Sequence, residues 1–292
     1  MISSEPPVLQ ISELCKSYGK LNALRDVTFS LSAGERLAFL GPNGAGKTTL
    51  IRCLAGRTKP DSGTMQLLGR ALTRHHPRMS LGLVPQEIAI YSDLTTRENL
   101  QAFGKLYGLN RTVLRKRIDW AMQWTGLSDR ANDLVGGFSG GMKRRINIAC
   151  GVLHGPRVLL LDEPTVGVDP QSRQRIFMML DALNAEGTSI LLTTHHLDEA
   201  QERSDRIVIM DQGTVVADGD FNSLVASTIG PSRLVRLQLQ HPITSPLRNV
   251  GSQPLTAGNV GDNLIETRID DVSTQLVDLL SSVREQGHQV TD

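Results

Sequence analysis

The sequence predicts an α/β protein: a core with a mainly parallel sheet, an antiparallel β subdomain, a helical insertion and a small C-terminal α+β extension. Three observations lead there. Short β-rich runs alternate with helical ones up to about Ser227. Continuous apolar runs such as "VLLL" suit strands covered on both faces, as in a parallel sheet. Between Thr95 and about Gly155 the apolar spacing shifts to roughly 3.6 residues, the helical period.

In chain order, "VLQISEL", "VTFSL" and "RLAFLG" predict strands, the last running into a glycine loop. "KTTLIRCLAG" then predicts a helix closed by Gly56. "TMQLLG" and "SLGLVPQ" are strand-like again, with Pro85 as the stop. "TTRENLQAFGKLYG" and "RTVLRKRIDWAMQWTG" form the helical insertion, and strands resume at "RVLLLDEP", "SILLTTHH", "RIVIMDQG" and "TVVADG". After Ile229 a stretch rich in Pro, Ser and Gly leads to "RLVRLQLQ" and "NLIETRID", which alternate with period two. Val272, Leu276, Leu279, Leu280 and Val283 trace one helical face beyond them. The expected division is a first domain over 1–228, with its helical subdomain at about 95–155, and an extension over 231–292.

Composition narrows the setting. With 31 basic against 30 acidic side chains the net charge is +1, so no global attraction draws the chain to nucleic acid or anionic lipid. No apolar run approaches the ~20 residues that span a bilayer. "MISSEPPVLQ" has neither the basic start nor the apolar core of a secretory signal. Cys15, Cys53 and Cys150 are scattered and odd in number, and read as reduced small hydrophobes. A cytoplasmic protein is expected.

"GPNGAGKT" fits the phosphate-loop pattern and lies between an apolar strand and a helix, which sets aside a chance glycine turn. Gly41, Pro42, Asn43, Gly44, Ala45 and Gly46 turn backbone amides toward phosphate oxygens at a helix N-terminus. Lys47 is placed to reach the β- and γ-phosphates, Thr48 to ligate Mg²⁺ and Thr49 to bond the α-phosphate. "VLLLDEP" ends a strand in paired carboxylates: Asp162 for the Mg²⁺ and Glu163 to polarise an attacking water. The two motifs together predict a P-loop NTPase core that hydrolyses ATP with Mg²⁺.

Further motifs make the reading specific. The chain resembles the ATP-binding subunit of an ABC transporter from Tyr18 to His195, with motifs in the family's order. Phe138-Ser139-Gly140-Gly141-Met142 stands where the family has Leu-Ser-Gly-Gly-Gln. The resemblance implies that Gln86 touches Mg²⁺ and the water, that Asp169 in "VGVDP" is the D-loop acid, and that His195 contacts the γ-phosphate. It also implies that Tyr18 in "KSYG" stacks on adenine. Each is weak alone; their joint order carries the match. Adjacent histidines on a strand point to opposite faces, so His195 and His196 are not expected to share a metal, and the Thr-His order favours His195 as the switch.

The family resemblance implies that Ser139, Gly140 and Gly141 serve the nucleotide held by a second copy's phosphate loop. ATP then joins a head-to-tail homodimer, and hydrolysis loosens it. Met142 resembles signatures in the drug-resistance, ABC-2-type exporter branch (daunorubicin/doxorubicin-type), whose membrane permease is a separate chain. The resemblance thus implies an exporter subunit peripheral on the cytoplasmic face of the membrane. A soluble ABC-type ATPase acting on ribosomes or DNA is the alternative, though no nucleic-acid partner is expected. Lys143, Arg144 and Arg145 read as a solvated helix face rather than a nucleic-acid patch. Ile88, Ile90, Tyr91 and Leu94 either contact the permease or fill the insertion's own core; Trp120 and Trp124, four apart, read as core. The tail resembles the C-terminal extension of the same branch, which implies a dimerisation or regulatory role. It stops at "GHQVTD" without the expected final strand, so it is either truncated or degenerate.

Overall fold

The computed structural model describes residues 6–73, 79–229, 233–243, 262–269, 272–286 and 288–291. Two compact units divide between Asp220 and Phe221. The first opens with β1 (Leu9–Tyr18) and β2 (Leu21–Leu31), both longer than the apolar runs alone indicate. Register shifts along their antiparallel pairing let each strand continue past its apolar stretch. With β4 (Ser62–Leu67) and β5 (Arg70–Ala71) they form a four-stranded antiparallel sheet, order β2-β1-β4-β5.

The second sheet holds β3 (Arg36–Leu40), β6 (Leu81–Val84), β7 (Val158–Asp162), β8 (Ser189–Thr194), β9 (Arg206–Asp211) and β10 (Thr214–Gly219). Its order is β10-β9-β3-β8-β7-β6, parallel except where β10 pairs with β9. Every residue of β7 and β8 is buried, which is why their apolar stretches "VLLL" and "ILL" run without alternation. Between the sheets, Phe29 meets Phe39 edge-on with ring centroids 4.7 Å apart. Such a pair contributes about 0.5–1.5 kcal/mol beyond the burial itself. Helix α1 (Lys47–Leu54) adds Leu50, Ile51, Cys53 and Leu54 to the same core.

The helical region contains α2 (Thr96–Leu106), α3 (Arg111–Thr125) and α4 (Gly140–Val152) around a core of its own. Thr95 and Glu98 form a reciprocal capping box that starts α2, and Asn110 caps α3. Trp120 and Trp124 stack at 5.0 Å against this core, and the Trp124 indole donates to the Met179 carbonyl at 3.2 Å. Helices α5 (Pro170–Ala185) and α6 (Leu197–Arg203) complete the unit.

The second unit begins with α7 (Phe221–Ile229) and continues with β11 (Arg233–Gln238), β12 (Leu264–Ile269) and α8 (Val272–Glu285). Leu237, Leu239, Ile243, Ile265, Leu279 and Val283 form its core. Beyond α8 the described residues form an isolated bridge rather than a further strand. Val290 bridges Leu239, Gln240 donates its N–H to the Gln289 carbonyl at 2.9 Å, and Thr291 donates to Gln238 at 2.8 Å. A single bridge has too few residues to show alternation. Among the described residues, no helix is long and apolar enough to cross a membrane.

Candidate functional site

Four segments far apart in sequence leave the carboxyl ends of four neighbouring parallel strands. They are the glycine loop after β3, Thr194–His196 at the end of β8, Asp162–Glu163 at the end of β7 and Pro85–Gln86 after β6. The crevice outside such strand ends is where α/β sheets bind ligands.

The glycine loop, Gly41 to Gly46, turns from β3 into α1. Gly46 caps the helix at φ 107°, a left-handed conformation, and a Cβ there would lie 2.4 Å from the Ala23 carbonyl oxygen. Both facts require glycine. Around the turn, Ala45 donates its N–H to the Pro42 carbonyl at 3.2 Å, and Asn43, Gly44 and the rest of the loop stay next to the helix N-terminus. Lys47 is 5% exposed; its ammonium donates to the carbonyls of Gly41 at 2.7 Å and Pro42 at 3.1 Å. Thr48, one residue on, donates its hydroxyl to Asp162 Oδ1 at 3.3 Å, and Thr49 follows within the first turn of α1.

Glu163 is the meeting point. Its Oε1 lies 3.6 Å from Lys47 Nζ and 3.3 Å from His195 Nδ1, and its Oε2 accepts from Gln86 Nε2 at 3.3 Å. The carboxylate is buried, and the backbone at Glu163 adopts φ 47°. A non-glycine residue in that region is strained and needs surroundings that hold it there. Thr193 supplies them: the Glu163 N–H donates to its hydroxyl oxygen at 3.0 Å, while the hydroxyl donates to Asp162 Oδ1 at 2.8 Å.

Sequence reasoning named neither Thr193 nor Glu199 for this site. Glu199, 5% exposed, accepts from Thr165 at 2.7 Å and from Thr194 at 3.0 Å, tying the loop after β7 to the end of β8. An acid three residues after His196 was the available signal. The expectation that His195 and His196 face opposite ways is corrected: their rings lie 4.1 Å apart, because the alternation of β8 ends at Thr194. His195 is the one beside Glu163.

The signature segment sits elsewhere. Ser139 caps α4, its hydroxyl accepting from the Met142 N–H at 3.3 Å. Gly140 opens the helix, and Gly141 lies so close to α5 that a Cβ would fall 2.1 Å from Ser172 Oγ. Asp169 caps α5 by accepting from the Ser172 N–H at 2.9 Å, and that bond holds its carboxyl below the usual range. The signature and the D-loop acid are therefore neighbours in one chain. Among the described residues no hydrogen bond joins Ser139, Gly140 or Gly141 to the glycine loop. Tyr18, at the end of β1, is 45% exposed, with Lys16 Nζ 5.5 Å from its ring centre.

The basic run after the signature is not a solvated face. Arg144 is 4% exposed, with its guanidinium on the carbonyls of Pro85 and Gln86; Arg145 donates to the Thr125 carbonyl at 2.6 Å. Two of the three side chains turn inward because α4 is covered along most of its length. Of the four apolar residues after Gln86, Ile90 packs on the helical core, while Ile88 is 38% and Tyr91 52% exposed; Leu94 is half-buried. Nearby, a cavity of about 350 Å³ opens among Ala55, Leu81, Phe103, Tyr107 and Asn147. The cysteines are free, and burial pushes the Cys53 thiol up to about 11.

The chain is similar to known proteins in sequence and in fold. The family described as "ABC transporter" matches residues 24–166, and an "AAA domain, putative AbiEii toxin, Type IV TA system" family matches 135–199. The linearmycin resistance ATP-binding protein LnrL of Bacillus subtilis (strain 168) is 41% identical over 232 residues, 79% of this chain and 74% of that one. The Nod factor export ATP-binding protein I of Ralstonia nicotianae is 41% identical over 226 residues, 77% and 70% of the two chains. A solved ATP-binding subunit of an ABC transporter superposes with a TM-score of 0.70 at 31% identity, covering 76% of this chain and 94% of that one.

Proposed function

The chain belongs to the ABC transporter ATP-binding family, whose members bind and hydrolyse ATP to drive transport, and from that premise we propose a specific working arrangement. This chain is the ATP-hydrolysing subunit of an exporter whose membrane-spanning permease is another polypeptide. The convergence of Lys47, Gln86 and His195 on the Glu163 carboxylate carries the proposal.

The glycine loop receives the phosphates of ATP on its backbone amides, with Lys47 at the β- and γ-phosphates and Tyr18 against the base. Glu163 accepts the proton of the attacking water, and Gln86 and His195 orient its carboxylate. The donor set of Thr48, Asp162 and Gln86 is all oxygen and meets beside the loop, which fits Mg²⁺. Bound there, the ion neutralises phosphate charge. Ser139, Gly140 and Gly141 complete the site of a second copy, and Asp169 lies at that contact. The exposed Ile88 and Tyr91 and the nearby cavity receive the permease on the cytoplasmic face of the membrane. The name of the Nod factor relative supports export. The relatives are transporter subunits, which weighs against the ribosome or DNA alternative.

Glu163→Gln provides the test. The variant is expected to retain ATP, to lose turnover by about 10²–10⁴-fold, and to run as an ATP-dependent dimer in light scattering. Turnover at the native rate would sink the assignment of Glu163.

A further inference from the structure

Arg144 is a buried cation with no carboxylate among its hydrogen-bond partners. Its Nη1 donates to the Pro85 carbonyl at 2.9 Å and its Nη2 to the Gln86 carbonyl at 2.6 Å. Taking a guanidinium out of water is costly, and hydrogen bonds to the two carbonyls offset part of that cost. One turn further along α4, Asn147 is also 4% exposed, and its Oδ1 accepts the Ala89 N–H at 3.1 Å. Two side chains on one helix face thus grip three backbone groups of the segment that carries Gln86.

The Gln86 side chain in turn donates to Glu163 Oε2 at 3.3 Å. The N-terminal cap of the same helix is Ser139, five positions before Arg144 and about 7.5 Å away along the axis. A single rigid helix therefore joins the signature end to the backbone behind Gln86. Nothing else in the described hydrogen bonding fixes the Gln86 carbonyl.

We propose that Arg144, supported by Asn147, is a positioning residue that sets Gln86 against Glu163, so that this contact follows the placement of α4. The inference rests on the roles proposed above for Gln86 and Glu163. It predicts that loosening the grip slows the chemical step while leaving nucleotide capture alone, because neither residue touches the glycine loop. Misplacing a catalytic contact by about 1 Å can cost on the order of 10²-fold.

Steady-state ATP hydrolysis by the full chain tests this. Arg144→Met is expected to lower kcat about 10- to 100-fold with KM for ATP within about twofold. Arg144→Lys, which can still reach one carbonyl, is expected to recover part of the loss. In a Gln86→Ala background, Arg144→Met should cost little more, since both changes remove the same contact. Should Arg144→Met not fold, Asn147→Leu is read the same way, with a smaller expected loss in kcat. Unchanged kcat in the chain lacking either grip overturns the proposal. So does a loss that Lys fails to reduce, or one that adds in full to Gln86→Ala. If Gln86→Ala itself turns over normally, the underlying reading of Gln86 fails and the positioning role falls with it. If Gln86→Ala is slow and Arg144→Met is not, the positioning role alone fails.

Discussion

Glu163 gathers the site's side chains from a strained backbone at φ 47°, and Thr193 is the residue that holds it. Thr193 is fully buried, and its hydroxyl serves the Glu163 amide and Asp162 together. Thr193→Val keeps the shape and removes the hydroxyl, leaving a buried N–H without its partner. That change is expected to destabilise the chain by about 1–3 kcal/mol in chemical unfolding and to lower turnover with it. An unaltered unfolding midpoint would mean that the amide finds another acceptor. Thr193 was not legible in the sequence, because its partners Asp162 and Glu163 belong to a neighbouring strand. Lys47, Thr48 and the Asp162–Glu163 pair were legible, because each lies within a local motif whose spacing already dictates its chemistry.

At the scale of elements, the joint between the helical region and the parallel sheet contains a titratable group. His154, just past the end of α4, places Nε2 3.0 Å from the Leu81 carbonyl and stacks on Tyr107 at 3.9 Å, while its Nδ1 is buried without a partner among the described residues. Nearby, Arg117 of α3 donates to the carbonyls of Val152 and Leu153, placing a cation at the C-terminal end of α4. Burial, with Arg117 adding to it, holds the His154 imidazole below its ordinary value of 6.5. The unfolded chain therefore binds a proton that the folded one resists, so stability is full above 6.5 and falls as the pH drops from there toward the lowered folded value. Thermal unfolding between about pH 7.5 and 5.5 should show that decline. His154→Gln should flatten it, and an equally steep decline in the variant would remove His154 as its cause. Periodicity found these helices; it could not find the joint, which is made of side chains from three elements.

At the scale of the whole molecule, no hydrogen bond among the described residues joins the signature end of α4 to the glycine loop. The two-copy arrangement proposed above pairs this end of α4 with another chain's glycine loop. Ser139→Arg fills the signature end with a bulky cation. ATP hydrolysis is expected to stop, while a single chain still captures ATP with unchanged affinity in a filter or fluorescence assay. Native turnover in that variant would remove the signature from the reaction. The C-terminal unit was legible as strand, strand and helix, yet its short pairing at Val290 was not, since one bridge leaves no pattern.

The sequence by itself determined the ATPase chemistry, the succession of strands and helices, and the family. Phosphate loops, paired carboxylates and periodic apolar faces are all written within a few consecutive residues. Only the tertiary structure decided that Lys47, Gln86 and His195 meet at Glu163, and that Arg144 turns inward rather than toward water. The reason is physical: strand order sets which loops become neighbours, and a cation's burial depends on the carbonyls that distant chain segments bring to it.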